Sequence, residues 1–83
     1  MTVAKMRLDI VSAEQELFSG EVLTVSVTGR DGELGIYPGH AQLLTELQPG
    51  FVRFLMPDQT EEVLFVNGGF LEIQPTVVTV LSD

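Results

Sequence analysis

Cysteine is absent from this 83-residue chain. Disulfide staples and thiolate metal sites are therefore excluded, and an apolar core must hold the fold alone. Basic residues are scarce as well. Lys5, Arg7, Arg30 and Arg53 stand against 12 Asp and Glu, for a formal net charge of −8. Binding a phosphate backbone depends on clustered cations, so nucleic acid and anionic lipid are disfavoured partners. A basic or neutral protein surface suits the charge better. Uninterrupted apolar runs stay far below the roughly 20 residues of a membrane span, so no direct lipid insertion is expected. The N-terminal Met1 to Arg7 stretch carries bases without an apolar segment behind them and does not read as a signal peptide. The expectation is a soluble chain that starts in the cytosol. A chain of this length forms one domain over residues 1–83, burying roughly 60% of its unfolded surface.

Alanine is rare too, with three residues against 21 Val, Ile and Thr, a ratio that favours strands over helices. Alternation supports this locally. Met6, Leu8 and Ile10 face one way and Lys5, Arg7 and Asp9 the other, while Leu23, Val25 and Val27 alternate with Thr24, Ser26 and Thr28. Phe51 to Met56, Glu61 to Val66, Phe70 to Gln74 and Val77 to Leu81 form further runs. Ser19-Gly20, Gly29 to Gly32, Pro38-Gly39, Pro49-Gly50, Pro57 to Gln59, Asn67 to Gly69 and Pro75-Thr76 read as turns between them. Asp31-Gly32 and Asn67-Gly68 are the strongest tight-turn pairs. The stretch His40 to Leu47 is too short to decide between helix and strand. Breaks about every ten residues predict an antiparallel all-β sandwich or barrel. Phe54, Phe65 and Leu64 lie mid-strand, and at least one of these phenylalanines is expected wholly inside.

The chemical inventory is thin. No phosphate-cradling glycine loop with its lysine is present, and Gly29, Gly32 and Gly35 fit neither nucleotide fingerprint. His40 is the lone imidazole, too few ligands for a zinc site. Ser12, Ser19, Ser26 and Ser82 could in arithmetic join His40 in a triad, but no nucleophile-elbow motif surrounds them. Pairs such as Glu14/Glu16 and Glu61/Glu62 are expected by chance at this acidity. No catalytic, cofactor-binding or metal-ligating residue is assigned, and a small acidic hydrolase is the least favoured reading. The residues alone point to a module that works through its surface.

Several segments narrow this. Leu8 to Glu14 followed by Phe18-Ser19-Gly20, the stretch Gly32 to Thr45 with Tyr37-Pro38-Gly39-His40 at its centre, Gly68 to Ile73, and Val78 to Asp83 keep their order across essentially the whole chain. Together they resemble the epsilon subunit of F-type ATP synthases; Gln42 departs from it where proline is common. The resemblance implies a flattened two-sheet antiparallel β-sandwich of about ten short strands. It further implies a non-catalytic rotor subunit in the central stalk, linking the gamma subunit to the c ring and supporting the coupling of proton transport to ATP synthesis. The setting implied is the cytoplasmic side of a bacterial plasma membrane, peripheral to it through the complex.

Carried over residue by residue, Arg30, Asp31, Gly32, Glu33 and Leu34 match the family's c-ring-contacting loop. Glu33 is its acidic contact, facing c-ring loops that carry a basic residue. Ser12, His40 and Thr45 match positions turned towards gamma. The plainer alternatives are that Glu33 is merely an exposed turn residue and that His40 only packs against Tyr37. Leu43, Leu44 and Leu47 are expected mainly in the core. The family's regulatory helical hairpin, which in some members helps bind ATP, would begin where this chain stops, so no ATP-binding residue is carried over. The competing reading is a stand-alone β-sandwich interaction module in another complex, because fold alone never fixes function.

Overall fold

The computed structural model describes residues 4–83. Three residues of the N-terminal stretch, and the start of the 1–83 domain assignment, lie outside them. Seven strands follow in chain order: β1 Met6–Val11, β2 Glu16–Val22, β3 Thr24–Gly29, β4 Gly32–Ile36, β5 Leu43–Leu55, β6 Glu61–Ile73 and β7 Val77–Ser82. They form one continuous sheet in the order β2-β1-β7-β6-β5-β3-β4. The alternation read from the sequence is realised strand by strand. Met6, Leu8 and Ile10 are buried on β1, Val25 and Val27 on β3, and Val78 and Val80 on β7.

This single sheet folds back on itself. Phe18 on β2 packs its ring 4.4 Å from that of Phe54 on β5, although β1, β7 and β6 separate those strands along the ladder. One hydrophobic cluster results, drawing Leu8, Ile10, Val25, Ile36, Val52, Phe54, Leu71 and Val80 from every part of the sheet. No polar or charged residue is buried among the described residues. The backbone ladder therefore satisfies its own donors and acceptors around a wholly apolar interior.

The fold-back happens inside β5 and β6. These two 13-residue strands stay paired from Leu43↔Ile73 to Leu55↔Glu61, yet the side that faces inward changes midway. On β5, Leu47 is buried before the change, and Val52 and Phe54 after it. On β6, Val66 is buried before, and Leu71 and Ile73 after. A strand with strict period two cannot change its inward parity without a local break in its pleat. Gly68 (φ +91°) and Gly69 (φ +131°) supply that break on β6. At Gly69 the requirement is absolute, because a Cβ there would stand 1.8 Å from the Leu81 carbonyl oxygen on β7. On β5 the partner of the break is Pro49-Gly50, where a Gly50 Cβ would meet Thr28 Oγ1 at 3.0 Å. The β3–β5 register slips at the same place, between Ser26 and Gly29.

This corrects several expectations. There are seven strands in one sheet, not ten in two, because each long strand passes through the corner without losing its ladder. Pro49-Gly50 and Asn67 to Gly69 are thus corners within strands and not turns between them, and Ser19-Gly20 lies inside β2, paired with Asp9 and Leu8 of β1. The pairing is antiparallel except between β1 and β7, which run parallel from Arg7↔Val77 to Val11↔Leu81. The undecided stretch His40 to Leu47 resolves into loop residues 40–42, after the turn at Pro38-Gly39, followed by β5 from Leu43. Asp31-Gly32 does close a tight hairpin between β3 and β4, with only Gly32 of the four loop-edge residues at positive φ.

Burial of the phenylalanines divides as the parity requires. Phe54 is 2% exposed and Phe65 57%. Phe54→Ala is expected to cost about 3–5 kcal/mol, while Phe65→Ala should stay within about 1 kcal/mol. Gly69→Ala combines backbone strain with a clash that no rotamer relieves, and should cost about 3 kcal/mol or more. Urea melts of the three variants check the order. A Gly69→Ala protein as stable as wild type would mean that the corner is not built this way.

Candidate functional site

The β3–β4 hairpin carries the first group of candidate residues. Arg30 and Asp31 form its turn, Gly32, Glu33 and Leu34 open β4, and all but Leu34 are exposed. These residues line a shallow recess of about 240 Å³ together with Leu43 and Thr45 of β5. Thr45, matched on resemblance to the gamma-facing side, therefore sits directly beside the hairpin matched to the c ring. Glu33 lies on a strand and is not free: its Oε1 accepts a hydrogen bond from Ser26 Oγ at 2.8 Å.

Ser12 and His40 are placed by their loops. The Ser12 hydroxyl accepts from the backbone N–H of Glu14 and Gln15 and donates to the Gln15 carbonyl, the local closure that short hydroxyl side chains give a turn. His40 donates its backbone N–H to the Tyr37 carbonyl at 3.1 Å, and its Nδ1 lies 2.8 Å from the Ala41 carbonyl oxygen.

The ladder connects Ser12 with Thr45. Val11, just before Ser12, stands opposite Leu81, Leu81 opposite Phe70, and Phe70 opposite Glu46, the neighbour of Thr45. All four alternate with buried neighbours and so point outward. The two ends of this row are three strand spacings apart, about 14 Å. Phe70 and Leu81 are each about half exposed, and Leu44 beside them is 68% exposed. Of the three leucines expected mainly in the core, only Leu47 is buried.

A second outward cluster lies past the corner. Phe51 and Phe65, directly opposite on β5 and β6, meet edge to face at 5.5 Å. Val63 is exposed beside them, and the Arg53 guanidinium sits 5.6 Å from the Phe51 ring centroid. Neither apolar surface was visible in the linear sequence. The signal that could have found them is a parity clash. If Leu47 is inward, strict alternation also turns Phe51 inward and Phe54 outward, which mid-strand Gly50 and Gly68-Gly69 can undo.

On the outward face of β1 and β2, Asp9 Oδ1 accepts from Ser19 Oγ at 2.7 Å, and Arg7 Nε lies 3.1 Å from the same carboxylate. The second arm of Arg7 also donates to Ser19 Oγ. The Ser19 hydrogen bond holds the Asp9 carboxyl below the usual aspartate range against the opposing effect of burial, with the Arg7 hydrogen bond and charge adding to the lowering. This is the one ion pair among the described residues. No group of three metal-ligating side chains occurs among them, nor any helix long and apolar enough to cross a membrane.

The architecture is a single β sheet folded over on one apolar core, with apolar side chains also on its outer face. The model of the ATP synthase delta/epsilon chain β-sandwich domain matches residues 5–83, and the chain belongs to that family. Two solved structures share the fold. A chain of the Euglena gracilis mitochondrial ATP synthase, from an assembly of OSCP, F1 and c ring in rotational state 1, superposes with TM-score 0.89 at 20% identity. That match covers 95% of this chain and 51% of the other. A chain of the Tetrahymena thermophila mitochondrial ATP synthase central stalk and c ring gives TM-score 0.76 at 12% identity, over 99% and 66%. This chain thus spans about half to two thirds of the length of those chains. At such identities the likeness is one of fold.

The Asp9 cluster has a pH signature. A carboxyl whose pKa is lowered by folding adds stability above its unfolded value, about 3.9, and that stability is lost as pH falls through the folded value. The thermal midpoint should therefore fall on acidification below about pH 4, and less steeply in Asp9→Asn and Ser19→Ala. Parallel acid slopes in all three proteins would remove Asp9 from the account.

Proposed function

We propose that this chain is the sandwich domain of a non-catalytic central-stalk subunit of an F-type ATP synthase. In this reading it joins the gamma subunit to the c ring and supports coupling of proton transport to ATP synthesis. What supports it is the match of residues 5–83 to the delta/epsilon β-sandwich family, together with an exposed acid-bearing hairpin and a separate outward apolar row on one sheet. A linker between two rotor parts needs both. The hairpin tip of Arg30, Asp31, Gly32, Glu33 and Leu34 is the c-ring surface. The outward row from Val11 through Leu81 and Phe70 to Glu46, with Phe70, Leu81 and Leu44 exposed along it, is the gamma surface; the assignment of Ser12, His40 and Thr45 to that side rests on the family resemblance. Catalysis belongs to other subunits. The domain sits peripherally on the cytoplasmic side of a bacterial plasma membrane, held there through the complex.

The two surfaces differ in physics and so in their tests. An exposed ion pair contributes only about 0.2–1 kcal/mol, so a Glu33→Arg change acts chiefly by substituting repulsion for attraction at a basic c-ring loop. ATP-driven proton pumping in reconstituted membranes should weaken in Glu33→Arg, with the deficit shrinking at high salt. The isolated domain should melt as wild type does. On the other side, Phe70→Glu should weaken capture of purified gamma subunit without affecting c-ring binding. Unchanged pumping and unchanged gamma capture together would leave a stand-alone interaction module in another complex.

A further inference from the structure

We propose that Ser26 is a positioning residue for Glu33: its hydroxyl orients the carboxylate for the c-ring partner without neutralising it. The inference rests on the reading of the hairpin as the c-ring surface. On the outward face of β3, Thr24, Ser26 and Thr28 alternate with buried Val25 and Val27. Thr28 stands directly opposite Glu33 and Ser26 opposite Gly35. Thr28 does not take the carboxylate; its Oγ1 is turned towards β5, within 3.0 Å of where a Gly50 Cβ would stand. Ser26 is the diagonal neighbour, and Gly35 across from it has no side chain to block the approach. The Glu33 carboxylate therefore leans back over the strand to Ser26 Oγ, at 2.8 Å, with the Tyr37 ring lying over Gly35 beside it.

What Glu33 lacks matters equally. Arg30 is three residues away on the same hairpin, yet the one ion pair among the described residues is Arg7 with Asp9. A guanidinium on Glu33 would orient the acid and cancel its charge in the same step. A hydroxyl donor orients it and leaves the negative charge intact, with Oε2 free for an incoming cation. The side chain then enters the interface with its rotamer already chosen, which lowers the ordering cost of binding.

The experiment has two arms on the full chain. In solution, an NOE between the Ser26 β-protons and the Glu33 γ-protons should be present in wild type and in Ser26→Thr and lost in Ser26→Ala. In binding to purified c rings, Ser26→Ala should weaken affinity about two- to tenfold. Ser26→Thr should lie within about twofold of wild type, and Ser26→Ala should add nothing further in a Glu33→Gln background. A chain that folds normally but binds equally well with Ser26→Ala, while Glu33→Gln binds weakly, overturns the positioning role and leaves the hairpin reading standing. Wild-type affinity in Glu33→Gln overturns the hairpin reading, and the role of Ser26 falls with it. Absence of the wild-type NOE overturns the positioning directly.

Discussion

Everything in this domain depends on one close approach, that of the Gly69 backbone to the Leu81 carbonyl. A seven-stranded sheet of this width has one apolar face and nothing to cover it. No helix is present among the described residues, so the sheet must cover itself. That requires β5 and β6 to reverse which side faces inward while keeping their mutual hydrogen bonds. On β6 the reversal is made with positive φ at two consecutive residues and a contact too tight for any Cβ. Corners of this type, where strands pass from one layer to the other, are how orthogonal sheet packings close. Leu47, Leu71 and Ile73 on one side and Val52, Phe54 and Val66 on the other then share a single core.

The same corner shapes the outer surface. By switching parity it turns Phe51, Val63 and Phe65 to solvent on one half of the sheet, while Phe70, Leu81 and Leu44 lie outward on the other. Phe51 with Phe65 and Phe70 with Leu81 thus form two separate outward apolar clusters. The charge is outward as well. The core holds no ionisable group among the described residues, so the −8 charge is carried entirely outside. There it biases the choice of partner without burdening the fold.

Much of the fold could be read from local pattern, because period-two alternation depends only on which residues touch water. The strands around Leu8, Val25 and Val80 were legible for that reason, as was the hairpin at Asp31-Gly32, whose chemistry is local. Strand number and sheet count were not. Asn67-Gly68 carries the same preference for positive φ whether the chain reverses direction or merely folds a corner, and only the long-range ladder decides. The parallel β1–β7 pair was hidden for the same reason, since no neighbouring residues encode it. At the candidate site, the hairpin with Glu33 was legible as an exposed acid in a glycine-flanked segment. Its hydrogen bond to Ser26 was not, because it needs the β3–β4 register and an unobstructed Gly35. The nearness of Thr45 to the hairpin likewise depends on β5 lying beside β3.

The parallel pairing of β1 with β7 has a consequence for biosynthesis. Arg7 finds Val77 only about 70 residues later, so β1 waits for β7. Until then β1 has only β2 beside it, and a lone two-stranded hairpin is marginal in water. With ribosomes adding roughly 5–20 residues per second, Leu8 and Ile10 stay unshielded for several seconds on each nascent chain. The cell must tolerate or chaperone that interval.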